Sequence, residues 1–175
     1  MQNNAAAETA AFNANFFPQH VALVTIGENM LPMGYWTVIS KDPFRFLICM
    51  QVGNHSLQLL RELGEAAVHF MPWAERERVV RAGYISGREG SKAERLNWAL
   101  QPATKLRHTK LVAGAEAVYE TTLFRELTEL ASREFVPFVL DVVATHGTRR
   151  PQQKEPIIYL SHKDFATLGE RWRYR

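Results

Sequence analysis

Apolar and polar positions along this chain predict strands in both its first and last thirds, with helices between them. β-branched and apolar runs bounded by turn residues are typical of strands. In the first half they lie at 20–27 ("HVALVTIG"), 31–36 ("LPMGYW"), 44–52 ("FRFLICMQV") and 65–72 ("EAAVHFMP"). In the last third they lie at 117–130, 135–148 and 156–169.

Three segments have helical character. Leucines at helical spacing fill "NHSLQLLRELG" (54–64), which ends at Gly64, a residue suited to the position after a helix. "WAERERVVRAGY" (73–84) predicts a second helix, and the glycine-punctuated segment 85–100 runs into a third helical turn. Residues 1–17 predict a helical arm, and residues 18–175 are expected to form one domain.

The strands outnumber the helices, so the predicted class is mainly β with inserted helices. Six or seven strands in a small domain must protect their edges, and closure into a barrel does so. Pro137 inside "FVPFVL" indicates a strand edge or a bulge, because proline has no N–H to donate to a sheet.

The amino-acid composition argues against a membrane-spanning protein and against a nucleic-acid-binding protein. Hydrophobic residues make up 46% of the 175 residues, and no apolar run approaches the roughly 18 residues needed to span a bilayer. The N-terminus lacks the pattern of a secretory signal, so a cytoplasmic location is expected. The net charge of +3 comes from mixed basic and acidic residues, which does not indicate nucleic-acid binding.

Several catalytic chemistries have no support in the sequence. There is no G-x-S-x-G motif, and Cys49, the single cysteine, lies in an apolar run that predicts a core position. The six histidines form no H-x-x-x-H pair, so no metal site is predicted.

The segment "YWTVISKDP" (35–43) is the first candidate for binding. If the strand stops near Trp36, the hydroxyls of Thr37 and Ser40, the cation of Lys41 and backbone N–H groups face one ligand, with Val38 and Ile39 as an apolar floor. This chemistry suits a flat heteroaromatic ring that carries a phosphate. The alternative is an ordinary polar turn between strands.

Two further segments offer phosphate contacts. Asn54, His55 and Ser56 open a helix, where unpaired N–H groups and the helix dipole favour an anion; an ordinary N-cap is the alternative. The loop "ISGREGSKAE" (85–94) combines glycines with hydroxyl and cationic side chains, and its alternative is a flexible surface loop.

Taken in order, these segments resemble the flavin reductase-like domains, which fold as FMN-binding split barrels. The resemblance runs over about residues 18–169, through the segments 20–50, 54–70 and 79–92 and the late segment 156–169. It implies a split β-barrel, FMN or FAD as cofactor, NADH or NADPH as co-substrate, and no metal.

The resemblance also assigns residues. It implies that the isoalloxazine and ribityl chain lie against Trp36, Thr37, Val38, Ile39, Ser40 and Lys41. It implies phosphate contacts from Asn54, His55, Ser56, Ser86, Gly87, Arg88 and Lys92. Members are homodimers with flavin at the subunit interface, which would bring the N-terminal arm and the tail "ERWRYR" (170–175) near the partner chain.

The late segment departs from the family pattern. Tyr159 stands where many relatives have histidine, and Ser161–His162 stand where two glycines are frequent. His162 could orient a reductant or substrate, although a structural histidine is the alternative. No other catalytic side chain is assigned.

The function implied is that of a flavin reductase: hydride transfer from NAD(P)H to FMN, and electron delivery to flavin, an oxygenase partner or another acceptor. Three alternatives stay open. An FMN-containing electron carrier or redox sensor would not oxidise NAD(P)H, a pyridoxamine-phosphate oxidase-like enzyme would turn over pyridoxamine phosphate, and a cofactor-free interaction module would bind no flavin.

Overall fold

A computed structural model describes residues 18–147, 155–161 and 163–169. The predicted N-terminal arm (1–17), His162 and the tail 170–175 lie outside the described residues. The strands of the described part are β1 (Gln19–His20), β2 (Ala22–Ile26), β3 (Asn29–Met33), β4 (Trp36–Lys41), β5 (Phe44–Gln51), β6 (Glu65–Phe70), β7 (Leu100–Pro102), β8 (Lys110–Val112), β9 (Ala117–Glu126), β10 (Phe135–Gly147), β11 (Ile158–Ser161) and β12 (Asp164–Ala166). The α-helices are α1 (His55–Leu63), α2 (Arg76–Tyr84) and α3 (Lys92–Arg95).

Seven strands form the main sheet, in the order β3-β2-β6-β9-β10-β5-β4, with every neighbouring pair antiparallel. A smaller sheet has the order β1-β11-β12, and β7 pairs with β8. The predicted class, mainly β with inserted helices, is confirmed. None of the described helices is long and apolar enough to cross a membrane.

The main sheet must curl, because its two edge strands are consecutive in the chain. A flat sheet of seven strands would hold its edges about 29 Å apart. Only Gly34 and Tyr35 join the end of β3 at Met33 to the start of β4 at Trp36, and that link spans at most about 11 Å. The edges therefore approach each other at Gly34–Tyr35, and the sheet forms a half-barrel.

Hydrophobic side chains pack on both faces of the curled sheet. Inside the curl, α1 covers the sheet with Leu57 and Leu60, which pack with Phe46 and Phe138. A second core lies on the other side of β2, where α2 and α3 pack against Leu23 and other residues of the cluster. Because β2 is covered on both faces, all five of its residues are buried, as its unbroken apolar sequence predicts.

Pro137 lies where the sheet can accommodate proline. It pairs with Cys49 of β5, but it precedes Phe138, the first residue of β10 that pairs with β9. The Pro137 carbonyl accepts a hydrogen bond from Leu127 N at 2.9 Å. Leu127 follows the last residue of β9, so this carbonyl points beyond the end of that strand. No ladder N–H is lost there. The predicted edge is not observed, because β10 lies inside the sheet between β9 and β5, and the nearest bulge falls between Val139 and Leu140.

The strand predictions need three corrections. The segment 156–169 is a hairpin of two short strands, which turns at Lys163 with a φ of 65°. The short hairpin β7–β8 was not predicted, because two strands of three residues carry too little periodicity. The strand predicted to stop near Trp36 instead begins there: residues 36–41 are β4, with a register shift between Val38 and Ser40.

Candidate functional site

Three adjoining cavities form one groove beside the Gly34–Tyr35 link. Their volumes are about 400, 200 and 330 Å³, at the scale of small-molecule sites. Pro32 lines all three cavities. We call the whole the main groove; the 400 Å³ cavity is its polar end, and the 330 Å³ cavity is its apolar end.

The polar end contains most of the predicted phosphate contacts. Six of the seven predicted residues line it: Asn54, His55, Ser86, Gly87, Arg88 and Lys92. Two segments far apart in sequence, the start of α1 and the loop after α2, therefore meet as the sequence suggested. The loop consists of a 3-10 turn, Gly87–Glu89, followed by α3.

Arg88 bridges these two segments. Its Nη2 donates to the carbonyl of Gly53 and to Oε1 of Gln58, both at 3.3 Å. The exposed guanidinium thus lies beside the first turn of α1, where the helix dipole is positive. A cation beside a helix N-terminus favours an anionic ligand such as a phosphate.

Lys92 is a buried basic residue at the polar end of the groove. Its side chain is buried, and Nζ donates to the carbonyls of Met30 at 2.6 Å and Ala82 at 2.9 Å. These bonds tie β3 to α2. Burial, and then the nearby charge of Arg95, lower the pKa of Lys92.

Two buried polar atoms at this end have no hydrogen-bond partner among the described residues: Oδ1 of Asn29 and Nδ1 of His55. Both residues line the polar end. Ser56 lies behind them, where its Oγ accepts from Asn29 Nδ2 at 2.8 Å, so it orients Asn29 and does not line the groove. Unpaired buried polar atoms are costly, which is consistent with a site that a polar ligand completes.

The helix-capping alternative is confirmed for both segments. Oδ1 of Asn54 accepts from Ser56 N at 2.9 Å, and Oγ of Ser86 accepts from Arg88 N at 3.3 Å. Both residues are ordinary N-caps that also line the groove. Capping fixes the backbone of each segment where it borders the cavity.

The apolar end is walled by aromatic and aliphatic side chains, among them Val21, Tyr35, Tyr159 and Phe165. Tyr159 and Phe165 contact edge to face, with ring centroids 5.7 Å apart. Burial raises the pKa of the Tyr35 phenol, and the nearby Tyr159 and Glu134 raise it further. Tyr35 is therefore a neutral hydroxyl at physiological pH and can donate a hydrogen bond.

Glycines keep the groove open. A Cβ on Gly34 would lie 2.9 Å from Oε1 of Gln19, and one on Gly83 would lie 3.0 Å from Cγ of Pro32. Side chains at these positions would displace the walls. The backbone can thus approach a ligand closely at both places.

The predicted segment 36–41 lies elsewhere. Trp36 packs against Phe46 and Phe70, and its Nε1 donates to the carbonyl of His20 at 2.7 Å. Thr37, Val38, Ile39 and Lys41 are exposed and Ser40 is half-buried, on the edge strand β4. None of these six residues lines the main groove of a single chain.

Sequence reasoning missed the residues at the centre of the groove: Asn29, Pro32, Gly34 and Tyr35. The sequence pattern places Pro32, Gly34 and Tyr35 in an ordinary hairpin strand and Asn29 in the turn before it. Gly34 was the available signal, because a glycine between two strand patterns often marks a close backbone approach. Cys49, predicted to be core, is half-buried in the groove wall, and burial raises the pKa of its thiol.

The described residues contain no group of three histidine, cysteine or acidic side chains placed to hold a metal. The fold and groove together define an antiparallel half-barrel with a groove that is polar and basic at one end and apolar at the other. The model of the "Flavin reductase like domain" matches residues 14–168, so the chain belongs to the flavin reductase-like family.

Solved structures share this fold. The FMN-binding protein of Thermus thermophilus with bound p-hydroxybenzaldehyde has a TM-score of 0.84 at 21% identity, covering 100% of both chains. The flavoredoxin of Methanosarcina acetivorans has 0.82 at 15%, covering 96% of this chain and 95% of that chain. An NADH:FAD oxidoreductase of Streptomyces globisporus has 0.76 at 20%, covering 89% of both. A search of the curated proteins finds no significant match.

Residues of the groove fit a flavin mononucleotide. Arg88 and the start of α1 suit its phosphate, and the unpaired Oδ1 of Asn29 suits a donor such as a ribityl hydroxyl. The apolar end suits a flat ring system, with Tyr35 as a hydrogen-bond donor. The donor set therefore matches the cofactor that the family implies.

Proposed function

We propose that the main groove binds FMN, with the phosphate at the polar end and the ring system toward the apolar end. This proposal rests on the unequal ends of the groove. One end has a cation, a helix N-terminus and two unpaired buried polar atoms, and the other end has aromatic walls. Such polarity matches a molecule that is anionic at one end and flat and apolar at the other.

The activity we propose is that of an NAD(P)H-dependent oxidoreductase. FMN, when bound, supplies the redox chemistry of hydride and electron transfer. Family membership supports this activity. An oxygenase or another acceptor as the recipient of electrons, and a cytoplasmic location, stay predictions.

The residues of the groove bind and orient the cofactor and do not themselves take part in the redox reaction. Arg88 fixes the anionic end, and Asn29 and His55 position the polar chain of the ligand. Tyr35 donates a hydrogen bond, and the apolar walls exclude water, which strengthens electrostatic interactions within the groove. No acid–base side chain is required, because hydride transfer moves no proton through the protein.

We further propose a homodimer in which β4 contributes to the flavin site of the partner. Val38 and Ile39 are 45% and 48% exposed on an edge strand, and such strands are normally protected. In such a dimer, residues 36–41 would contact the flavin of the partner chain. The resemblance implies that they contact flavin, and the dimer would explain why they lie outside the groove of their own chain.

Anaerobic reduction of the FMN-loaded protein tests the activity. We expect the visible flavin bands to bleach on addition of NADH or NADPH. A protein that binds FMN but does not bleach is a carrier or an oxidase, which contradicts the reductase activity and leaves the binding site intact. Turnover of pyridoxamine phosphate would identify the oxidase.

A further inference from the structure

A basic segment connects β7 to β8. Residues 103–110 have the sequence "ATKLRHTK", and we call them the basic loop. Lys105, Arg107 and His108 are exposed, and Lys110, the first residue of β8, is half-buried. The basic loop contains no acidic residue. It therefore differs from α2, where basic and acidic side chains are mixed as on an ordinary solvated helix.

The backbone of the basic loop is held in one conformation by two buried carboxylates. The N–H groups of residues 104–106 donate to Glu120, and those of residues 107–109 donate to Glu65, at 2.6–3.2 Å. Leu106 is buried in a small hydrophobic cluster. Six consecutive backbone donors thus point into the domain, and the loop presents its basic side chains on a rigid support.

The cations of the basic loop have no partner on their own chain. The side chains of Lys105, Arg107 and Lys110 make no hydrogen bond or ion pair within residues 18–147, 155–161 and 163–169. Like charges held side by side repel each other. An anionic partner would offset that repulsion, because it would give each cation an opposite charge.

The acidic groups around the basic loop do not neutralise its side chains. Glu65 and Glu120 are buried behind the loop and accept from its backbone, and Glu120 also contacts His146 at 2.6 Å. The adjoining β2–β3 turn contacts the loop where the Gly27 carbonyl accepts from Lys110 N at 2.9 Å. Glu28 in that turn is exposed and forms no ion pair with the described residues. The positive charge of the loop is therefore available to a partner.

We propose that the basic loop is a docking surface for an acidic segment of a protein partner. Complementary charge speeds and orients such an encounter. The loop has no aromatic side chain on which bases could stack, and its one leucine is buried, so it lacks the features of a single-stranded nucleic-acid site and of a membrane anchor. None of its residues lines the main groove, so the inference is independent of flavin binding.

Fluorescence anisotropy of a fluorescein-labelled decapeptide of glutamate, titrated with the full-length protein, tests the proposal. We expect saturable binding at low ionic strength that weakens as salt is added, because exposed charges are screened. The variant Lys105→Gln/Arg107→Gln/Lys110→Gln should raise the Kd of the decapeptide about tenfold, since three exposed ion pairs are lost.

Two further variants control for net charge. Arg81→Gln/Arg95→Gln/Arg133→Gln removes the same charge from three exposed positions elsewhere, and we expect it to keep most of the wild-type affinity. Glu28→Gln removes the acidic side chain of the adjoining turn and should lower the Kd. Circular dichroism checks that each variant is folded.

Other results would overturn the proposal. Absence of decapeptide binding by the wild type would do so, and so would an equal loss of affinity in the two triple variants, which would trace binding to net charge alone. Tighter binding of a labelled ten-nucleotide thymidine strand or of vesicles that contain phosphatidylserine, lost in the basic-loop variant, would identify a nucleic acid or a membrane as the partner instead of an acidic protein.

Discussion

Gly87 is the residue at which the groove tolerates least change. A Cβ at this position would overlap the side-chain amide of Asn29. We expect Gly87→Ala to destabilise the fold by about 1–3 kcal/mol, because the added methyl forces Asn29 to move. FMN affinity should fall in the same variant, since Asn29 lines the polar end.

Denaturant unfolding and FMN titration measure both effects. Gly169→Ala is the matched control, because nothing lies within 4 Å of a Cβ there. Equal stability and affinity in Gly87→Ala and Gly169→Ala would show that Asn29 is not held against the loop as described.

At this scale, local sequence signals pick out residues that line the polar end but not those at the centre of the groove. Asn54, Ser86 and Arg88 carry local signals, since caps, glycines and cations mark loops and helix starts. Pro32 and Tyr35 carry none, because a strand that forms the edge of a curled sheet has the same apolar pattern as any hairpin strand. Only the three-dimensional curl turns these residues into a groove wall.

Among the elements, the loop between β7 and β8 is held by two carboxylates and by buried Leu106, which packs in a small hydrophobic cluster with Leu111 and Val118. Glu120 accepts hydrogen bonds from the backbone N–H groups of Thr104, Lys105 and Leu106, at 2.6–3.2 Å. Glu65 accepts from the N–H groups of residues 107–109. The backbone donors of this irregular segment are thereby satisfied.

These contacts predict acid sensitivity. Burial alone would raise the pKa of Glu120, but hydrogen bonds from Thr104, Lys105 and His146 outweigh it and lower the pKa to about 2. A carboxylate with a depressed pKa stabilises the folded state above its unfolded value of 4.5. That stabilisation is lost as the pH falls from about 4.5 to about 2, and we expect it to amount to about 2–3 kcal/mol.

Glu120→Gln should therefore lower the free energy of unfolding at pH 7 and flatten its dependence on pH in the acid range. Urea unfolding at several pH values compares this variant with Glu62→Gln, which changes an exposed carboxylate of α1. A pH dependence in Glu120→Gln as steep as in the wild type would exclude Glu120 as its source.

Helices and long strands could be predicted because each carries a periodic pattern and end signals, such as Asn54 and Gly64 around α1. The β7–β8 hairpin could not, because the contacts that hold it are distant in sequence. They are the carboxylates of Glu65 and Glu120 and the packing of Leu111 with Ala67. The start of β4 at Trp36 was also missed. Polar and exposed residues on an edge strand look like a turn when read locally.

For the whole molecule, the exposed edge strand β4 is the basis of the proposed dimer. We expect Ile39→Lys to convert a dimer into a monomer and to weaken FMN binding, because a lysine on an edge strand opposes pairing with a partner. Leu130→Lys is the control, since Leu130 is 65% exposed in a 3-10 turn outside β4.

Light scattering measures the mass of both variants, and circular dichroism checks that they remain folded. A wild-type protein that is monomeric while it binds FMN would contradict the proposed dimer. It would also leave Thr37 and Ser40 without a role in the site.

Barrel-like architecture could be expected from the number of strands, but not the way in which the sheet curls. The curl follows from Gly34 and Tyr35, a two-residue link between strands that lie at opposite edges of the sheet. Pairing between strands distant in sequence, such as β6 with β9, decides which strands become the edges. No local pattern encodes that choice.

Titration of the purified protein with FMN, monitored by flavin absorbance and fluorescence, tests the central claim most directly. The account predicts saturable binding by the wild type and a Kd raised about tenfold or more in Arg88→Gln, because a charge-assisted phosphate contact is lost. Arg61→Gln should bind like the wild type. Absence of binding by the wild type, or equal affinity in Arg88→Gln, would contradict the placement of a flavin phosphate at the start of α1.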